Sequence, residues 1–158
     1  MSRFGSIVVC FALMASLGLS ACGGDTKTQK GPKDPAKFAR AYYQYRVSKV
    51  CVATNSVADP IQPKSLDEIP ANVPELVPLL GAQITALLRI KPPPGLERAH
   101  SLLLGGLQAQ IGLLNQIKQT ADAHQGRKKA VKLVERLNIM STKTQQLAAQ
   151  MGLQNCGT

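Results

Sequence analysis

The chain has no tryptophan, and its aromatic content is only 4%. Sandwiches and barrels fill their strands with aromatic and β-branched side chains, so this scarcity argues against a β fold. Acidic residues are few: 9 Asp and Glu stand against 19 Lys and Arg, for a net charge of +10. The apolar run near the start, Ile7–Leu19, is 13 residues long, whereas a helix that spans a bilayer needs about 20. Several signatures of chemistry are missing. There is no CxxC, HxxxH or CxxCH spacing, no Gly-x-Ser-x-Gly elbow and no SxxK, which leaves zinc, haem attachment and nucleophilic catalysis without sequence support. With 158 residues there is no room for a large multidomain enzyme. What is present is 44% hydrophobic residues, enough for a packed core and too many for a disordered chain.

Arg3 supplies a short positive stretch ahead of the Ile7–Leu19 run, and the run ends in Leu19-Ser20-Ala21-Cys22-Gly23-Gly24. A charged start and a short apolar segment are the parts of an export signal. The ending resembles the lipobox of bacterial lipoproteins: Leu, a small residue, Ala or Gly, then Cys. That resemblance implies a signal peptide over 1–21, cleavage before Cys22, and diacylglycerol on the Cys22 thiol, often with acylation of the new amino group. Gly23 stands where Asp retains some members of the family in the inner membrane. An ordinary secretory signal and an uncleaved anchor are the alternatives. Two or three acyl chains hold a protein at a membrane stably, where one does so only marginally.

Residues 22–33 read as a flexible lipidated tether, polar and containing Lys27, Lys30 and Lys33. Such a tether has a mean span on the order of 20 Å and keeps the following domain, 34–158, close to the surface. Once Cys10 leaves with the signal and Cys22 is lipidated, Cys51 and Cys156 remain. An even number in an exported chain points to a disulfide. The alternative is a metal site that adds His100 and His124, and no ligand spacing favours it.

The rest reads as all-α, a four-helix bundle closed by that one disulfide. Asp34-Pro35 has the chemistry of a helix start, and the first helix is expected to run to about Thr54. Its Phe38, Tyr42 and Tyr45 share one face at i, i+4, i+7. Asn55–Asn72 carries Pro60, Pro63 and Pro70 and reads as a long connection, able to run the length of the bundle and set two neighbouring helices parallel. Ser65-Leu66-Asp67-Glu68 has capping-box spacing and is expected to form one short turn. The second helix is expected from Asn72 or Glu75 to Ile90 or Lys91, with Leu76, Leu80, Ile84, Leu87 and Leu88 inward and its first turns weakened by Pro78 and Gly81. Pro92-Pro93-Pro94-Gly95 makes a stiff corner. The third helix is expected over Leu96–Ala123. Gly105-Gly106 is read as a point of close packing because the apolar phase continues across it, and Gly126 as the stop. The fourth, Arg127–Met151, has a heptad seam of Ala130, Leu133, Leu137, Met140, Thr144, Leu147 and Met151. The proline corner, the Leu-rich helices and the tail Met151-Gly152-Leu153-Gln154-Asn155-Cys156 resemble small helical bacterial lipoproteins that end in a Leu-Gly-Leu-x-x-Cys-like tail. That resemblance implies the fold and the disulfide, and no activity.

Few residues point to a site. Glu97 and His100 have the Glu-x-x-His spacing of di-iron bundles, but such sites use two of these motifs and two further carboxylates; a rim histidine and a first-turn Glu are the plainer reading. A His100–Met140 haem pair has nothing to select it. No metal, cofactor or catalytic residue is therefore assigned. Arg127, Lys128, Lys129, Lys132 and Arg136 form a basic cluster, read as a solvated face or a site for anions. The aromatics of the first helix interleave with Lys37, Arg40, Arg46 and Lys49. Filling the bundle core is the favoured reading for them, and lying at a membrane interface is the alternative. Together these features suggest a non-enzymatic, lipid-anchored helical module on the extracytoplasmic side of the cell membrane or outer membrane. Its partners would be anionic lipids or envelope polymers rather than nucleic acid. The rival reading is a carrier with an apolar site between the second and third helices, near Gly105-Gly106 and the 55–72 connection.

Overall fold

A computed structural model describes residues 34–63, 65, 67–122, 126–153 and 156. The signal segment 1–21, Cys22, the tether to residue 33, Leu66 and His124 lie outside the described residues. Four α-helices follow in order: α1 Pro35–Ala58, α2 Ile69–Leu88, α3 Glu97–Asp122 and α4 Arg127–Gln150. No strand occurs among the described residues.

α1 starts as its sequence demands. Asp34 accepts a hydrogen bond from the Lys37 amide at 3.0 Å, and Pro35 occupies the first turn, where its missing N–H costs nothing. The helix outruns its expected end at Thr54. Thr54 and Ser56 donate their hydroxyls back to the carbonyls of Val50 and Ala53, at 3.0 and 2.9 Å, so these residues join the helix rather than break it. A 3₁₀ turn, Asp59–Ile61, ends the segment at Pro60.

α2 begins at Ile69, ahead of the expected Asn72 or Glu75, and contains both Pro74 and Pro78. Pro74 and Pro78 are exposed and one turn apart, so the carbonyls they leave unbonded can turn to solvent. The connection before α2 is therefore only residues 62–68, with a backbone bond from Glu68 N to Ser65 O at 3.2 Å. Seven residues reach about 23 Å when extended, less than the roughly 36 Å length of a helix of 24 residues. The expected parallel pair is thus corrected: α1 and α2 run antiparallel. Asn72 Nδ2 donates to Ile61 O at 2.8 Å at one end of the pair. At the other end the first turns of α1 lie beside Pro93–Leu96.

Two apolar clusters are stacked along the bundle. The upper one joins Tyr43, Val47 and Cys51 of α1 to Leu87, Leu103, Leu107, Met151 and Leu153. The lower one joins Ile69, Val73, Leu113, Leu114, Ile117 and Leu133 and takes nothing from α1. The heptad seam of α4 is as read, with none of its seven residues exposed. One inward position of α2 differs from expectation: Leu88 is 63% exposed, and Gln83 is buried instead.

The glycines mark two corners and one contact. Gly106 packs so tightly on α4 that a Cβ there would lie 2.5 Å from Thr144 Oγ1, while Gly105 faces open space. Gly126, read as the stop of α3, instead precedes α4 as its cap, with φ 93°. Gly152 (φ 78°) ends α4. The Leu153 amide donates to Ala148 O and the Gly152 amide to Ala149 O, both at 2.9 Å, which is the Schellman pattern. This turn sends the tail back to the core, where Leu153 is buried and Cys156 bonds Cys51 across a Cα–Cα distance of 5.0 Å.

Candidate functional site

α1 carries two rows of side chains on opposite sides. Tyr43, Val47, Cys51 and Thr54 face the core and are buried. Phe38, Tyr42, Tyr45, Lys49 and Val52, spaced by four, three, four and three, form the other row. Phe38 and Tyr45 are each 59% exposed and Tyr42 is 53% exposed. The reading of these three as core filling is therefore overturned, because the row bearing Cys51 already occupies the inward side. Of the aromatic group, only Tyr43 goes inside.

The outer row is ordered by its own contacts. Phe38 and Tyr42 stack with ring centroids 6.4 Å apart. The Arg46 guanidinium lies 5.9 Å from the Tyr42 centroid, and Lys49 Nζ lies 5.6 Å from that of Tyr45. Cation–π pairs at exposed sites are worth about 0.5–1 kcal/mol each, enough to bias these side chains toward one arrangement. Where α1 meets the end of α2, a groove of about 420 Å³ is lined by Tyr42, Tyr45, Arg46, Lys49 and Arg89 together with Val50, Ala86 and Ile90. Three cations and two tyrosines line it with no carboxylate among the described residues, a charge balance that suits an anion beside an apolar group.

The second basic cluster lies elsewhere. Arg127, Lys128, Lys129, Lys132 and Arg136 are all exposed at the start of α4. That helix end has no acidic residue in its first turn and no side-chain cap, so cations there face the positive end of the helix dipole. α4 begins at the end of the bundle away from the first turns of α1, and the structure does not bring the two clusters together.

Glu97 and His100 part company. Glu97 accepts the Gly95 amide at 2.7 Å and so braces the proline corner. His100 is buried rather than on the rim, and its Nδ1 shares a 2.8 Å hydrogen bond with the Tyr43 hydroxyl. Burial lowers the His100 pKa below 6.5 and pushes Tyr43 from 10.0 up to about 12. With His100 neutral at pH 7, this pair is a hydrogen-bonded strut between α1 and α3. Met140 is far from it: the Gly106–Thr144 contact sets Met140 level with Gln110, ten residues or about 15 Å along α3 from His100. Among the described residues no three His, Cys, Asp or Glu side chains gather where a metal could sit.

α2 is long and apolar enough to cross a membrane by length and composition alone, yet its Ile69, Val73, Ile84 and Leu87 are spent on the core. No protein-family model, curated protein or solved structure matches the chain.

Proposed function

We propose that this protein is a lipid-anchored extracytoplasmic helical module, non-enzymatic, whose α1 lies against an anionic membrane surface. The observation that carries the reading is the outer row of α1: three exposed rings with cations beside them, on a helix whose sequence contains no acidic residue. Tyrosine favours the membrane interface, where its ring is apolar and its hydroxyl wet. The lipobox-like Leu19-Ser20-Ala21-Cys22 stands 12 residues before Asp34, so a lipid on Cys22 would deliver α1 to the headgroups. Each Lys or Arg near an anionic surface adds about 1 kcal/mol, so Arg46, Lys49 and Arg89 supply on the order of a hundredfold in affinity.

The three tyrosines of the chain all lie in α1, and no tryptophan masks them. Their fluorescence in vesicles of brominated phosphatidylglycerol therefore tests the contact directly. Tyr42 and Tyr45 are expected to be quenched, and quenching should fall in brominated phosphatidylcholine or high salt. Unquenched tyrosine in a lipidated, vesicle-bound chain would refute the docking of α1. Separately, Cys22→Ser should move the protein out of the membrane fraction; full retention would refute the anchor.

A further inference from the structure

The groove where α1 meets the end of α2 is more than a charged patch on one helix. Arg46 and Lys49 stand on its α1 wall and Arg89, just past Leu88, on its other wall. Cations from two elements thus converge on one hollow of about 420 Å³. A helix that only lies flat on a charged surface needs no second wall. The α1 cations are also held in place. Arg46 lies over the Tyr42 ring and Lys49 over the Tyr45 ring, and both rings line the groove. Side chains ordered before a ligand arrives lose less freedom when it binds.

The rest of the lining is apolar. Val50, Ala86 and Ile90 complete it, and the single methyl of Ala86 takes up little of the space. Apolar surface also leads out of the groove. Phe38 is exposed and stacks on the lining Tyr42, and the exposed Leu88 stands one residue before Arg89. Cations in a hollow, with apolar side chains left exposed beside it, fit a ligand that has an anionic head and an apolar body.

We infer that this groove binds the phosphate headgroup of one anionic phospholipid, whose apolar part runs out over Tyr42 and Phe38. A phosphate has oxygens for all three cations. The two oxygens of a carboxylate are taken up by a single guanidinium fork, so the site favours a phospholipid over a fatty acid. A free phosphate would leave the apolar lining and the exposed Phe38 without a partner. The site deepens the reading of α1 as membrane-facing and rests on it for the source of the ligand, a membrane lipid. What is new is a saturable position that needs Arg89 and the second wall, which α1 alone does not supply.

The test counts lipids on the full chain in micelles of an uncharged detergent, where no charged surface exists for α1 to lie on. Native mass spectrometry during a titration with phosphatidylglycerol is expected to show one added lipid per chain, with saturation. Arg89→Gln removes the cation of the second wall, and Ala86→Glu puts a carboxylate into the hollow. Each should weaken binding by at least about tenfold, the effect of one lost charge-assisted hydrogen bond, with helicity unchanged. Lys37→Gln removes an α1 cation that does not line the groove and should leave binding as it was. Glycerol phosphate and oleate should displace little of the lipid. Lipid counts that rise without saturation, displacement by oleate or glycerol phosphate as effective as by phosphatidylglycerol itself, or equal losses from Lys37→Gln and Arg89→Gln would each overturn the site. The two readings fail separately. A chain whose tyrosines are quenched in brominated vesicles but which takes up no lipid in micelles loses the groove and keeps the docking of α1. One lipid in micelles without quenching in vesicles loses the docking and keeps the groove.

Discussion

Gly105 and Gly106 are adjacent in a helix and should respond oppositely to the same substitution. Replacing a helical Gly by Ala gains about 1 kcal/mol by restricting the unfolded chain and supplying helix propensity. At Gly105 nothing lies within 4 Å of the new Cβ, so Gly105→Ala should stabilise by about that amount. At Gly106 the same methyl would meet Thr144 Oγ1 at 2.5 Å. Thr144 cannot simply retreat. It is 3% exposed, and its hydroxyl is tied to Met140 O at 2.9 Å; rotation about χ1 would bring its methyl toward the same spot. Relieving such overlap by moving helices costs about 1–3 kcal/mol, so Gly106→Ala should destabilise by up to about 2 kcal/mol net. In a Thr144→Ala background the nearest remaining atom is Thr144 Cβ, at an ordinary 3.5 Å, and Gly106→Ala should revert to stabilising by about 1 kcal/mol. Denaturant unfolding followed by circular dichroism at the helix band, under non-reducing conditions, measures all four variants. The double-mutant cycle should give a coupling of about 1–3 kcal/mol between residues 106 and 144. Equal stabilisation by Gly105→Ala and Gly106→Ala would refute the close approach of α3 and α4.

The remaining predictions concern the fastenings of α1. Reduction of Cys51–Cys156, or Cys51→Ser with Cys156→Ser, opens a loop with a separation of 105 residues and should cost about 4–5 kcal/mol by loop entropy; an unmoved denaturation midpoint would refute the pairing. Tyr43→Phe strips the partner from buried His100 Nδ1 and should cost about 1–3 kcal/mol in the same assay; a neutral effect would refute the strut. The pH profile should fall at both ends. His100 is held below 6.5 in the folded chain, so its contribution is complete above pH 6.5 and is lost as pH falls from there through the lowered value. Tyr43 rises from 10.0 to about 12, so its contribution is complete below pH 10 and is lost as pH rises toward 12, a limb that Tyr43→Phe should flatten.

Most of the fold was legible because α3 and α4 each carry one apolar face. The seven-residue seam of α4 and the apolar phase of α3 across Gly105-Gly106 each had only one solution, and both are found. Errors gathered where local chemistry has two solutions. Proline stops a helix only where its missing N–H or its ring disrupts needed bonds, and Pro74 and Pro78 sit on an exposed side, so α2 runs through them. Gly126 is a plausible stop and a plausible start, and only the chain on both sides decides between them.

The orientation of α1 is the instructive case, because the residues that decide it are all in the sequence. Phe38, Tyr42 and Tyr45 make one apolar row, and Tyr43, Val47 and Cys51 make another, so periodicity alone cannot choose the inward side. The disulfide chooses. Cys51 can reach Cys156 only if its row faces the end of α4, and Gln44 Nε2, donating to Met151 O at 2.8 Å, fastens the same junction. Tyr42 is nine positions from Cys51. Nine positions at 3.6 residues per turn is two and a half turns, so Tyr42 must stand on the opposite side. Any pairing of Cys51 with the bundle thus expels the aromatic row to the outside. A helix held inward by a covalent bond does not need its largest rings in the core, and the fold leaves Phe38, Tyr42 and Tyr45 available for a surface that lies outside the chain.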